Sequence, residues 1–166
     1  MSILGTLKRC EVFLGLDDTD LLKIDELASC QEEPYQAQEI IMTAGTEARK
    51  FYVVEEGQIN LLLRETVSPS PLPEQTVVRT ITKGSSFGWS AVVPPHVRIL
   101  GAIAKTPCKV LSIGGGGLRR LFDEEPRLGY EVTKDLLKVI AWRFKNIEQL
   151  LVTRKGSLFF DKQDMD

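Results

Sequence analysis

The spacing of apolar residues changes character twice along this chain, dividing it into a helical start, a β-rich middle and a helical end. Leu21, Ile24, Leu27 and Ala28 recur at the three- and four-residue intervals of one helix face. Asp17 stands in a capping position, and Asp18 and Asp20 suit the positive end of the helix dipole. With Pro34 as terminator, the pattern predicts a helix over 17–31, preceded by a shorter one within 3–13. Between 39 and 113, short runs rich in Ile, Val and Leu alternate with Gly, Pro or charged turns. They predict strands at 39–43, 51–55, 58–64, 76–82, 98–104 and 109–113. Glu56 and Gly57 supply a tight turn between the second and third. Pro69, Pro71 and Pro73 make 67–73 a loop, because proline cannot donate to a central ladder. After this, 118–122 predicts a short helix and Pro126 starts a long one. Its stripe is Val132, Leu136, Val139, Ile140, Phe144, Ile147 and Leu151. Residues 157–166 are polar and predict a loose tail. The element order is that of a β sandwich or barrel flanked by helices.

The length of 166 residues favours one domain, and 43% hydrophobic with 27% charged residues supports a packed core. Lys plus Arg is 21 against 23 for Asp plus Glu, a formal charge of −2. Such a balance argues against a protein held to nucleic acid or anionic lipid by bulk charge. The single histidine, His96, excludes metal sites or catalytic networks that need two. Cys10, Cys30 and Cys108 form no C-x-x-C and read as buried thiols of a reducing, cytoplasmic compartment. Residues 1–16 carry Lys8, Arg9 and Glu11 where a signal sequence would need an apolar core, and 84–104 contain Pro94, Pro95, His96 and Arg98, which suits no membrane helix. The expectation is a soluble protein without membrane attachment.

No catalytic constellation emerges. Gly114, Gly115, Gly116 and Gly117 could close backbone N–H groups on a phosphate, but Arg119 stands where the dinucleotide fingerprint needs its last glycine, so a strand-to-helix turn is the stronger reading. His96 has no nucleophile or orienting acid placed for it. The acids Glu11, Asp17, Asp18, Asp20, Glu32 and Glu33 lack the spacing of a calcium loop, and no metal site is expected. Cys108 beside Lys109 reads as a buried thiol. The informative segment is GSSFGWSAVVPPHVR at 84–98, a long insertion between two predicted strands, where binding loops concentrate. Gly88 followed by Trp89, Ser90 and Ala91 could begin one helical turn with N–H groups aimed at an anion, to which Arg98 returns with its planar fork. The competing reading is a tight turn with a surface arginine.

In this segment and its surroundings the chain resembles the cyclic nucleotide-binding domain family, which includes the ligand-binding domain of the cyclic-AMP receptor protein. The resemblance runs from Phe13 to Leu151. It rests on LGLD at 14–17, EIIMTAG at 39–45, FYVVEEGQI at 51–59, and Phe87 with Gly88 opening a segment similar to the family's phosphate-binding cassette. It implies a double-stranded β-helix, a jelly-roll-like β-roll with an N-terminal helix and C-terminal helices. The implied division is an extension over 1–12, the β-roll domain over 13–125, a long dimer or lid helix over 126–153 and a polar tail over 154–166. It implies a ligand site of Phe87, Gly88, Trp89, Ser90, Ala91, Arg98 and Ile99. In the family the cassette glycine is followed by a glutamate that accepts the ribose 2′-OH, and an arginine ten positions beyond that glycine binds the cyclic phosphate. Arg98 stands ten positions after Gly88, whereas Trp89 replaces the glutamate and Ile99 the small residue after the arginine. Trp cannot accept that hydrogen bond, a charge-assisted contact worth about 1.5–3 kcal/mol. Two classes of function follow. One is a regulatory sensor of cyclic AMP, cyclic GMP or another small anion, with no covalent cofactor and no enzymatic activity; the other is a dimeric interaction scaffold with a degenerate pocket. The resemblance implies a homodimer through 135–151. Only 15 residues follow Leu151, too few for a DNA reader, so output is expected through an effector protein.

Overall fold

The computed structural model describes residues 2–27, 29–64 and 75–160, with side chains through Asn146 except those of Met1, Ala28 and 64–74. The elements are α1 (Ile3–Leu7), α2 (Asp18–Asp25), β1 (Gln31–Tyr35), β2 (Ile40–Met42), β3 (Lys50–Glu56), β4 (Ile59–Arg64), β5 (Gln75–Ile81) and β6 (Ser86–Phe87). A 3-10 turn (Trp89–Ala91), β7 (Gly101–Ala104), β8 (Cys108–Gly114), α3 (Gly115–Glu124) and α4 (Pro126–Phe160) follow. Eight antiparallel strands form two four-stranded sheets, ordered β1-β8-β3-β6 and β2-β7-β4-β5. This is the mainly β jelly-roll with flanking helices that the resemblance implies.

Each sheet face has its own apolar contents, and β3 shows why its sequence is apolar without interruption. Tyr52 and Val54 point between the sheets, with Ile59, Leu61, Ile81, Phe87, Ala102 and Val110. Phe51 and Val53 point the other way, into a second core where the helices supply Leu7, Leu21, Ile24, Leu118, Leu128 and Leu136. A strand buried on both faces loses the polar half of the two-residue alternation.

Several boundaries differ from the sequence expectation. α2 stops at Asp25, and residues from Gln31 onward are drawn into the first sheet as β1, pairing Gln31 with Ser112 and Pro34 with Lys109. Pro34 does not end a helix; it sits within an edge strand, where a missing N–H costs nothing. The first helix ends at Leu7, and turns occupy most of 8–16. β6 is a two-residue strand, too short to leave a pattern, and β7 begins at Gly101, so Arg98 lies outside the ladder. The loop expected at 67–73 lies outside the described residues. α4 starts at Pro126 as expected but continues through Phe160, so 157–160 are helical rather than loose. No proline follows Pro126 to interrupt it.

The four-glycine run opens α3. A Cβ on Gly115 would lie 2.4 Å from the Ala91 carbonyl oxygen and 2.8 Å from the Ala91 Cβ, whereas Gly116 meets only Arg119 Nη2 at 3.9 Å. Glycine at 115 lets the helix start press against the turn after Gly88. Gly115→Ala is expected to cost about 1–3 kcal/mol by overpacking. Gly116→Ala is expected to stabilise by up to about 1 kcal/mol through helix propensity. Urea unfolding of the two variants checks the contrast; equal effects would remove this reason for the run.

Candidate functional site

The cassette segment begins where β6 ends. Gly88 has φ 76° and ψ 29°, a left-handed conformation that glycine adopts without strain. A Cβ there would also meet the Lys50 carbonyl oxygen at 2.9 Å, Tyr52 Cδ2 at 3.0 Å and Arg98 Nη1 at 3.1 Å. Glycine is therefore required both for the turn and for the approach of Arg98. The following 3-10 turn uses some of its own donors. The Ala91 N–H bonds the Gly88 carbonyl, and the Val92 and Val93 N–H groups bond that of Trp89. His96 closes the segment: its Nδ1 lies 2.8 Å from the Ser90 carbonyl oxygen, which can only accept, so Nδ1 carries the proton. Its own carbonyl accepts from the Ala48 N–H. The imidazole is a staple of the loop.

A cavity of about 160 Å³ opens against this segment, lined by Phe87, Gly88, Trp89, Ser90, Arg98 and Ile99 of the expected set. Ala91 is not among them. It is fully buried on the opposite side, against Gly115, and its carbonyl accepts from Arg119. Ile99 lies at the cavity and is 77% exposed. Among the described residues Met42, Leu61, Leu100 and Arg143 also line it, and no local pattern marks them as site residues. They come from β2, β4, the approach to β7 and a helix 45 positions after Arg98.

Arg98 is only 7% exposed, so it is not the surface arginine of the competing reading. Its Nη1 donates to Met42 Sδ at 2.9 Å, a weak acceptor, and its Nη2 to the Lys50 carbonyl at 3.2 Å. The guanidinium carbon lies 5.5 Å from the centre of the Tyr52 ring. No carboxylate pairs with it among the described residues. Burial holds its pKa below the ordinary arginine value, as expected for a charge taken from water without an anion.

The acids considered as cation ligands are instead occupied within the fold. Asp17 caps α2 by accepting from the Asp20 N–H, Asp20 meets Arg127, Asp18 meets Lys8, Glu32 meets Lys109 and Glu33 meets Lys50. Among the described residues no group of three His, Cys, Asp or Glu side chains is placed to hold a metal ion, and no helix is long and apolar enough to cross a membrane. The Cys108 thiol is pushed up in pKa by burial, and Lys109 does not offset it.

Trp89 lies beside the same cavity. Its Nε1–H donates to Ser86 Oγ at 3.2 Å, and the Arg143 guanidinium carbon lies 4.3 Å from the ring centre. Glu11 Oε1 accepts from Ser86 N at 2.8 Å, Ser86 Oγ at 2.9 Å and Arg143 Nη2 at 2.7 Å. The N-terminal turn, β6, the cassette and α4 thus meet around one carboxylate.

Residues 32–125 match the family model described as the cyclic nucleotide-binding domain. Among curated relatives, the chain is 30% identical over 127 residues to a cAMP-dependent protein kinase regulatory subunit of Colletotrichum trifolii. The match covers 74% of this chain and 31% of the relative. The chain spans about a third or less of the length of the curated relatives it matches. Among solved structures, the catabolite activator protein of Thermus thermophilus superposes with a TM-score of 0.69 at 18% identity, over 87% of this chain and 63% of that one. The regulatory subunit of a cAMP-independent protein kinase A from Trypanosoma brucei gives 0.70 at 16%, over 90% and 50%. The left-handed Gly88, the arginine ten positions on and the matched span agree: this chain belongs to the cyclic nucleotide-binding domain family.

Proposed function

We propose that this chain is a regulatory sensor of a small anion. The observation that carries this reading is Arg98, a buried guanidinium at the wall of a cavity with no carboxylate partner among the described residues. Burial of an uncompensated cation is costly, and an anion in the cavity offsets that cost with charge-assisted bonds. The open cavity favours a sensor over a scaffold with a filled pocket. Cyclic AMP and cyclic GMP are the first candidates by family, although Trp89 supplies no acceptor for the ribose, and fold alone does not choose the ligand. Calorimetric titration with both nucleotides, on wild type and on Trp89→Glu, tests the reading. Trp89→Glu restores the sugar acceptor and is expected to tighten nucleotide binding about tenfold or more, the worth of one charge-assisted bond. Absence of binding to both proteins would remove the cyclic nucleotide as ligand.

Output is assigned to α4 and a partner protein. Arg143 brings this helix to the cavity wall, so occupancy changes the surroundings of the same helix that carries an unpartnered apolar face. Of the stripe predicted from sequence, that face keeps only Phe144 among the described side chains. Val132 and Leu136 are buried against the domain, and Val139 and Ile140 pack partly against it. Ile147 and Leu151 lie outside the residues whose side chains are described. Tyr130, Leu137 and Phe144, seven residues apart, are 65%, 64% and 59% exposed. We assign this seam to a homodimer, since a seven-residue repeat suits helix pairing. Leu137→Asp with Phe144→Asp is expected to convert a dimer at tens of micromolar into a monomer in sedimentation; a wild-type monomer at that concentration would end the assignment.

A further inference from the structure

The cavity wall says more about its ligand than that it is an anion. Among the described lining residues two are arginines, Arg98 and Arg143, and none is an acid. Arg143 donates through Nη2 to Glu11 and to the Ser86 carbonyl, at 2.7 and 3.2 Å, and among the described residues its Nε and Nη1 meet no acceptor. A third cation lies close behind: Arg79 of β5 stacks on Trp142, the neighbour of Arg143 on α4, with its guanidinium carbon 5.0 Å from the ring centre. Between the arginines the wall is flat or aliphatic, with Phe87, Trp89, Leu61 and Leu100. The one indole N–H is already given to Ser86 Oγ. Among the described lining residues a hydroxyl-rich sugar meets one side-chain hydroxyl, that of Ser90, and no carboxylate to accept its donors, and a buried donor left without a partner is penalised. The cavity measures about 160 Å³ and is partly open to solvent, so a ligand ring can sit against its wall without being fully enclosed.

We propose that the cavity takes a compact aromatic diacid, with one acidic group on Arg98, the ring against Phe87 and Trp89, and the second acidic group on Arg143. This rests on the small-anion reading and narrows its ligand. The second acid competes with Glu11 for Arg143, so Glu11 sets the threshold for binding and Arg143 selects the diacid over the monoacid.

Calorimetric titration of the full chain with benzoate, isophthalate, terephthalate and cyclic AMP tests this. One of the two diacids is expected to bind at least tenfold more tightly than benzoate. Arg143→Gln should reduce that diacid's advantage over benzoate to less than about twofold, with a thermal melt confirming folding. Glu11→Gln keeps an acceptor for Ser86 but surrenders the charge that holds Arg143. It should tighten the diacid severalfold and leave benzoate unmoved, a direction that a merely structural role would not produce. If cyclic AMP binds more tightly than every aromatic acid and depends on Arg98 but not Arg143, the diacid proposal is overturned while the anion sensor stands. If none of the probes, nor inorganic phosphate, binds in a manner dependent on Arg98, both readings fall.

Discussion

Arg98→Ala is expected to remove 2–4 kcal/mol of anion binding, roughly a thirty- to thousandfold loss of affinity, as a desolvated charge-assisted pair is broken. The free protein should respond in the opposite way. No carboxylate in the described fold neutralises the guanidinium, whose partners are a thioether, a backbone carbonyl and the Tyr52 side chain. Its burial is a cost the free protein carries. Arg98→Met keeps much of the side-chain volume and removes the charge, so its urea midpoint is expected to equal or exceed that of wild type. Affinity measured by calorimetry and stability measured by urea should therefore move apart. A fall in stability of more than about 1 kcal/mol for Arg98→Met would mean that the arginine holds the fold, since volume-conserving core changes usually cost little. A functional anion contact would then lose its main support.

The largest expected loss of stability belongs to Phe87→Ala. Phe87 is 1% exposed and stacks on Tyr52 with ring centres 4.8 Å apart and planes 13° from parallel. It fills the space between the sheets and forms part of the ligand cavity. Deleting it should cost about 3–5 kcal/mol, the transfer term plus the void left behind. Phe87→Leu, closer in volume, should cost appreciably less. Tyr52 also lies against the Arg98 guanidinium, so loss of its stacking partner should weaken anion binding even where the variant remains folded. Urea unfolding of Phe87→Ala within about 1 kcal/mol of wild type would show that the two rings do not support this part of the core.

How much of this was legible in the sequence follows from the range over which each signal acts. Six strands between 39 and 113 stood out because hydrophobic runs and turn residues are local codes, and Pro126 marked the start of α4 for the same reason. The sequence interval between Gly88 and Arg98 carried the proposed anion site, because a glycine-dependent turn and the return of an arginine belong to one segment. β1 was hidden. An edge strand needs only one paired neighbour, so Pro34 could sit in it and be mistaken for a terminator. β6 was hidden by its length. The glycine run was visible, but the reason for Gly115 was Ala91, 24 residues earlier, and that for Gly114 was Ser29.

The site divides in the same way. Phe87, Gly88, Trp89, Ser90, Arg98 and Ile99 were legible, and the fold does bring all six to one cavity. Ala91 could not be assigned from sequence, because in so tight a turn neighbouring side chains point in different directions, and packing sends this one toward Gly115. Arg143 and Glu11 carry no local mark at all. They are ordinary surface-type residues 132 positions apart that become a pair because α4 lies across β6 and the N-terminal turn. The stripe on α4 shows the same limit from the other side. Periodicity established that the helix has apolar faces, but only docking decided that Val132 and Leu136 turn inward while Leu137 and Phe144 remain exposed. Local chemistry determined the elements and singled out Arg98; long-range packing decided which distant side chains share its cavity, because sequence separation carries no information about contacts made through a third element.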